Sequence, residues 1–405
     1  MNPVPFVDLT RRYAALKPEI DAAVARTLAS GWYLLGDEAR GFEEELGAYL
    51  TSPPPLSRPV ASSLGKGLPA SGRFLLPFPR DVRTSGRGGG GRGHVVGVAS
   101  GTDALVLALE AAGIGPGDDV LCPALTATAT PMAIRMVGAT PIFVDVEPGT
   151  LCLCPEDTAR KITPRTRAMV PVHLYGRPAN LDKLSEICSQ QELIFIEDCA
   201  QSAGSVYHGQ RVGTFGALAA FSFYPTKNLG AFGDAGAVVT QDAALAESVR
   251  QRRAYGEKTR YHAQIEGRNS RLDELQAAIL RVGLPYLDAT NARRREIAEQ
   301  YSAALNPSIV EVPADEPGHT YHLYVVRSDH RSALQNHLKE RGVATMVHYP
   351  VAQHRQPAFA NLHQAESCPV ASREVGRILS LPLFPELTDD EVGQVIAAVN
   401  SFPED

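Results

Sequence analysis

The chain has 405 residues, 44% hydrophobic and 21% charged, enough to bury a full core and to form two domains. A formal net charge of −6 gives no electrostatic reason to bind nucleic acid, and no apolar run approaches the length that spans a membrane. Six scattered cysteines, with no apolar signal core in MNPVPFVDLTRRY, point to free thiols and a cytoplasmic protein.

Taken in order, Leu16, Ile20, Ala23, Val24, Thr27 and Leu28 recur at helical spacing and predict an amphipathic helix over 15–30 that Gly31 ends. GWYLLG follows, then an acidic helix from Glu38 to Leu50. Residues 51–93 break the pattern. Pro and Gly dominate from 53 onward, and seven basic side chains face Asp81 alone, so this insertion cannot bury enough apolar surface to offset its ordering entropy. From His94 the chain reads as strand, tight turn and helix: HVVGVAS, Ser100-Gly101-Thr102, DALVLALEAAG. A glycine turn that opens a helix leaves backbone N–H groups free at the positive end of the helix dipole, which makes Gly101 and Thr102 candidates for holding a phosphate. Strands are predicted at Asp119–Cys122 and Thr140–Val144. Cys152-x-Cys154 has no second Cys/His pair at a convincing spacing and reads as strand or loop. A further strand, Ala168 to His173, sets His173 at the carboxyl edge of the sheet, where a histidine is more often a structural hydrogen-bonder.

The stretch 193–240 carries the most chemistry. Its first apolar run, Leu193 to Ile196, is too short for a helix and reads as a buried parallel strand that delivers Glu197 and Asp198 at its carboxyl end. A second run, Leu218 to Phe223, carries Ser222 and turns at Pro225 into Thr226 and Lys227. A carboxylate at one strand end and a lysine just past another are the parts a pyridoxal-phosphate enzyme needs: an amine to bond the cofactor and an anion to keep its ring nitrogen protonated. Taken singly, either residue is more often a surface or salt-bridged group. Beyond this stretch a long amphipathic helix is interrupted near Pro285. Short elements follow from about residue 306: alternation over His319–Val326, a helix at Ser332–Arg341, a strand at Thr345–His348, and a last helix with Thr388 and Glu391 at capping-box spacing.

IEDCAQSAG, GTFG and FSFYPTKNLGAFGDAGAVVT together closely resemble the DegT/DnrJ family of pyridoxal-phosphate-dependent nucleotide-sugar aminotransferases, and the likeness runs through nearly the whole chain outside 51–93. The resemblance implies an α/β protein of the type I PLP-dependent transferase fold. A mostly parallel central sheet would lie in a large domain, residues 1–250, with a smaller α+β domain, residues 251–405, that includes a bridging helix. It makes Lys227 the Schiff-base lysine and Asp198 the partner of the pyridine nitrogen. Gln201 would meet the ring hydroxyl, and Gly101, Thr102 and Ser222 the phosphate. GRNSRLDELQAAIL matches a segment in which an asparagine, here Asn269, reaches the partner's phosphate across a homodimer with shared active sites. The implied cofactor is pyridoxal 5'-phosphate and the implied donor L-glutamate. The acceptor would be a keto-sugar nucleotide, a 3-keto or 4-keto-6-deoxyhexose. By the same likeness Trp32 and Tyr33 lie at the mouth of the site, the alternative being that they pack between helices. His348-Tyr349-Pro350 and His354 fall in a loop near the substrate. Ala127 stands where the family commonly stacks an aromatic side chain on the cofactor. A non-catalytic or regulatory protein of the same fold is the alternative reading. Dehydratase relatives carry histidine at the lysine position, which Lys227 argues against.

Overall fold

Seven short runs rich in Val, Leu, Ile, Phe and Ala pair into one sheet: β1 (His94–Val98), β2 (Asp119–Pro123), β3 (Thr140–Val144), β4 (Thr166–Met169), β5 (Ile194–Asp198), β6 (Leu218–Ser222) and β7 (Gly236–Thr240). The spatial order is β1-β7-β6-β5-β4-β2-β3. Pairings from β6 through β3 are parallel, and only β7 runs antiparallel to its neighbours β6 and β1. Helices cover both faces, so the parallel β2 and the antiparallel β7 alike are buried along their whole length. The sheet is therefore mostly parallel within an α/β architecture, as expected. The computed structural model describes residues 3–54 and 93–403, and the bulk of the predicted insertion, 55–92, lies outside the described residues.

The direction of β7 follows from its connection. Residues 223–235 hold no helix, and a parallel return needs a long crossover, usually a helical one. The chain instead folds back beside β6, pinned by Phe223 N–H to Ala235 O (2.8 Å) and Ala231 N–H to Phe223 O (2.8 Å). This return puts the Pro225–Gly230 turn, and Lys227 in it, at the carboxyl edge of the sheet.

Several predicted elements appear with shifted ends. The helix predicted over 15–30 spans Lys17–Ser30 and ends on Gly31 at φ +65°, a conformation glycine adopts without strain; a separate short helix before it, Leu9–Ala15, was not predicted. The long helix pauses in a 3-10 turn at Leu284–Tyr286, at the predicted proline. The strand expected over Ala168–His173 stops at Met169, because Pro171 has no N–H to offer the ladder; Val172 keeps a single bridge to Asp198. The alternation over His319–Val326 yields a strand only at Tyr324–Arg327. Before it the chain is bound by Gly176, whose carbonyl accepts from Thr320 N–H (3.1 Å), and Tyr321 sits at φ +44°. The expected strand at Thr345–His348 is one bridge, Met346 to Ser380. The capping box at Thr388 and Glu391 is formed.

The buried apolar side chains fall into two cores. The larger surrounds the seven-stranded sheet. The smaller is built from Val4 and residues between Ile297 and Val399, around the strand pair Tyr324–Arg327 and Ile378–Leu381. Among the described residues no helix is long and apolar enough to cross a membrane, and all six cysteines are free.

Candidate active site

At the end of β5, Glu197 and Asp198 point to different tasks. Glu197 is fully buried. Its Oε1 accepts the N–H groups of Phe215 and Gly216, and its Oε2 that of Gly213, all at 2.8 Å. Its remaining partner is His173 Nε2 at 3.1 Å. Since His173 Nδ1 accepts from Ala179 N–H (3.0 Å), the imidazole carries its proton on Nε2 and donates it to Glu197. His173 is thus the structural hydrogen-bonder expected of it, and Glu197 is the clasp that folds GTFG against the sheet. Cys199 lies close to both, but the committed lone pairs leave no open ligand set for a metal.

Asp198 faces the opposite way. Its Oδ2 accepts from Thr130 Oγ1 (2.8 Å) and its Oδ1 from Ala200 N–H (3.1 Å). Thr130 stands in the first turn of the helix Ala129–Met136, so the carboxylate also meets the positive end of that helix. Burial pushes the Asp198 pKa up, while the two hydrogen bonds and the nearby Lys227 ammonium pull it down. Lys227 shows the complementary balance: burial pulls its amine down to about 8, opposed by the Asp198 charge. Asp198 and Lys227 therefore share one electrostatic site.

Gln201 is committed at both ends. Its Oε1 accepts from Tyr175 N–H (2.7 Å), and its Nε2 donates to Tyr349 Oη (2.9 Å). Tyr349, whose phenol burial pushes up to about 12, thereby joins the Asp198 side of the site. Tyr175 in turn hydrogen-bonds the carbonyl of His348, whose Nδ1 meets Ser380 Oγ at 2.9 Å. Burial, with a further push from the Lys227 charge, lowers His348 to about 4 and His322 well below the ordinary range. Both imidazoles are neutral at physiological pH and both sense Lys227. His354 turns elsewhere, to Ser372 Oγ (3.0 Å) and the ring of Phe143.

The phosphate candidates also converge. A Cβ placed on Gly101 would lie 2.5 Å from the Ser222 Cβ, so only glycine lets the start of the helix Gly101–Ala111 approach the end of β6. Ser100 caps that helix through Asp103 N–H (3.1 Å), and the first-turn N–H groups of Gly101 and Thr102 have no carbonyl of their own helix to meet. Asn269 is exposed, bridged through its backbone to Ala254, while its neighbour Ser270 ties Ala99 N–H and Asp103 to the same helix. Trp32 (64% exposed) and Tyr33 (49%) do not pack between helices. Ala127 is half-buried and offers no ring.

Thr130, Tyr175, Tyr349, Asn228 and His322 were missed as site residues by their sequence context or given only a loop assignment. Nothing in LTATAT marks which threonine reaches Asp198. Asn228, next to the lysine, holds His322 Nδ1 through its Oδ1 (3.1 Å) and donates to Asn291 (2.7 Å) and to Thr320 O (3.2 Å).

The chain matches the DegT/DnrJ/EryC1/StrS aminotransferase family over residues 87–400. It is 42% identical to a dTDP-3-amino-3,4,6-trideoxy-alpha-D-glucose transaminase of Streptomyces venezuelae, covering 99% of this chain and 96% of that one. Its fold is similar to S. venezuelae DesV, crystallised in complex with a ketimine intermediate, with a TM-score of 0.86 and 42% identity over 99% of this chain and 98% of that one. It is also similar to NtdA of Bacillus subtilis with bound cofactor PMP, with a TM-score of 0.83 and 28% identity over 98% and 85% of the two chains. Sequence motif, sheet topology and site geometry thus agree: the chain belongs to the DegT/DnrJ/EryC1/StrS aminotransferase family.

Proposed function

We propose that this chain transfers the amino group of L-glutamate to a keto-sugar nucleotide, with pyridoxal 5'-phosphate as cofactor, in a cytoplasmic homodimer whose active sites are shared. The observation that carries the reading is the Asp198–Lys227 pair: a buried carboxylate held by Thr130 and Ala200, facing an amine whose pKa is lowered to about 8. The cofactor fits the residues present. Gly101, Thr102 and Ser222 form a close-packed helix start for its phosphate, Asp198 an anion for its ring nitrogen, and Lys227 an amine for its aldehyde carbon. When bound, pyridoxal phosphate supplies an electron sink for the bond that breaks at the donor carbon.

The chain's own residues would divide the rest of the work. Asp198 keeps the ring nitrogen protonated, which a carboxylate clasped by a hydroxyl and a backbone N–H at a helix start does well. Lys227, freed by the incoming donor, takes the α-proton at Nζ as a neutral amine and later returns a proton to the sugar carbon that receives nitrogen. Tyr349, held by Gln201, brings its hydroxyl to the Asp198 side of the site, and the neutral His322 and His348 add no competing positive charge next to Lys227. Two half-reactions at one amine predict ping-pong kinetics.

The dimer is supported by what a single chain leaves open. Tyr224 and Phe232, on the loop that carries the lysine, are 52% and 43% exposed, and Asn269 is free to reach a neighbour. The first acceptor to try is a dTDP-3-keto sugar, since the Streptomyces relative is named for a 3-amino product. The test is to add L-glutamate to the purified holoenzyme. The visible band of the lysine-bound cofactor should disappear as 2-oxoglutarate forms; a band that persists, with no oxoacid, favours an inert or regulatory protein of the same fold.

A further inference from the structure

Two arginines stand side by side on the N-terminal helix Leu9–Ala15, and they do different things. Arg11 docks the helix. Its two terminal nitrogens each meet a Glu391 oxygen at 2.7 Å, and its Nε lies 3.2 Å from Asp8. Arg12 has no carboxylate within ion-pairing distance among the described residues. Its hydrogen bonds all end on backbone carbonyls of one turn: Nη1 donates to Pro225 O and Lys227 O (3.4 Å each), and Nη2 to Gly230 O (3.1 Å). Burial lowers its pKa, with Glu386 the charge that opposes this. Placing a guanidinium there has a desolvation cost that an ion pair would offset better, so its position calls for a reason.

The turn itself supplies one. Lys227 N–H donates to Tyr224 O (2.8 Å), and a Cβ on Gly230 would lie 2.4 Å from Pro225 O and 2.8 Å from Arg12 Nη1, so the segment closes tightly around the guanidinium. On its other side Asn228 is held by Asn291 and Thr320. A lysine side chain is a flexible four-carbon stem, so its amine is only as well placed as the backbone it swings from. A planar fork of donors can hold three carbonyls in one arrangement, which a point charge does poorly.

We propose that Arg12 is a positioning residue for Lys227: from the N-terminal helix it fixes the backbone of the 225–230 turn, so that the lysine amine moves from a rigid base. This rests on the reading of Lys227 as the reactive amine.

The test compares Arg12→Met, Arg12→Lys and Arg11→Met holoenzymes. Each is measured for melting temperature, for donor KM and kcat, and for the pH midpoint of the visible band of the lysine-bound cofactor. Arg12→Met should lower kcat roughly tenfold or more with donor KM within about threefold. It should also move the spectral midpoint by about half a pH unit or more. Arg12→Lys should fall between Arg12→Met and the unaltered enzyme. Arg11→Met should lower the melting temperature and leave kcat and the midpoint in place. A folded Arg12→Met enzyme with unchanged kcat and midpoint overturns the proposal. So does an Arg11→Met enzyme that loses both equally, or an Arg12 position at which neither substitution folds; these would make Arg12 a stability residue. Borohydride fixation of the cofactor in the unaltered enzyme checks the parent reading separately. Attachment away from Lys227 refutes that reading, whereas attachment at Lys227 with unaffected Arg12→Met kinetics refutes this proposal alone.

Discussion

At the scale of single residues, proton affinity decides what Lys227 and Asp198 can do. A lysine at its ordinary pKa, near 10.4, is neutral in only about one molecule in 2,500 at pH 7, whereas one at about 8 is neutral in about one in ten. Because burial is the larger cause, the shift belongs to the folded apoprotein. Acylation of Lys227 in the apoprotein, followed by peptide mass spectrometry across pH, should therefore rise with a midpoint near 8 while exposed lysines rise near 10.4. A Lys227 midpoint above about 10 would mean the amine is not desolvated. Asp198 has the opposite requirement, to stay anionic despite burial. Asp198→Asn should cost roughly three orders of magnitude or more in kcat, since each pKa unit lost by the ring nitrogen is about 1.4 kcal/mol. Thr130→Val removes one hydrogen bond to that charge, worth about 1.5–3 kcal/mol, and should lower kcat by about 10- to 100-fold with the fold intact. An unchanged kcat in Thr130→Val would show that Ala200 N–H suffices. Lys227 and Asp198 stand out in the sequence as candidates through the flanking IEDCAQSAG and FSFYPTKNLGAFGD motifs, since a strand-end position alone favours an ordinary surface group. Thr130 was not, since its partner is 68 residues away and only the packing of a helix against β5 brings the two together.

At the scale of elements, what the sequence conveyed best was the run of buried strands, and what it conveyed least was where pairing stops. Thr140–Val144 was read to the residue, because an apolar run bounded by turn residues has few alternatives. His319–Val326 looked equally strand-like, yet its first half is drawn onto the carbonyls of Gly176 and Tyr175, which accept from Thr320 and Leu323 N–H, a long-range preference with no local signature. The role of GTFG was equally hidden: its backbone N–H groups are gathered by Glu197, a clasp visible only once the loop and strand are seen together. The ends of the insertion allow a prediction of their own. A Cβ on Gly47 would lie 2.8 Å from Gly93 O, so the chain re-enters against the same helix, Asp37–Thr51, that it leaves. Gly47 and Thr51 are one helical turn apart, about 6 Å along the axis. A short Gly/Ser linker in place of 55–92 should therefore close the gap and leave kcat/KM on the true acceptor unchanged at both low and high salt. A large loss at low salt alone would identify the basic insertion as an electrostatic guide for the anionic substrate.

For the whole molecule, the described residues form two cores, and Tyr224 and Phe232 on the loop that carries the lysine stay exposed, which is the surface the proposed homodimer would cover. The sheet core fixes Asp198, Ser222 and the Gly101 turn, while the second core supplies strand Ile378–Leu381, whose Ser380 holds His348 beside the lysine. Asn269 on the surface completes the proposal of a shared site. Mixed dimers of Lys227→Ala and Asn269→Ala chains, each inactive or impaired alone, should regain activity, because one of the two sites then carries both native residues. No recovery in confirmed mixed dimers would return Asn269 to its own chain's site or remove it from the site. The central claim, that the chain moves an amino group through Lys227, has a more direct test. Purified enzyme, pyridoxal phosphate and ¹⁵N-labelled L-glutamate are incubated with dTDP- and UDP-linked 3-keto and 4-keto sugars, and the products are weighed by mass spectrometry. A ¹⁵N-bearing amino-sugar nucleotide is expected from one acceptor class and none from Lys227→Ala. Label-free products throughout, or an equal yield from Lys227→Ala, would contradict it.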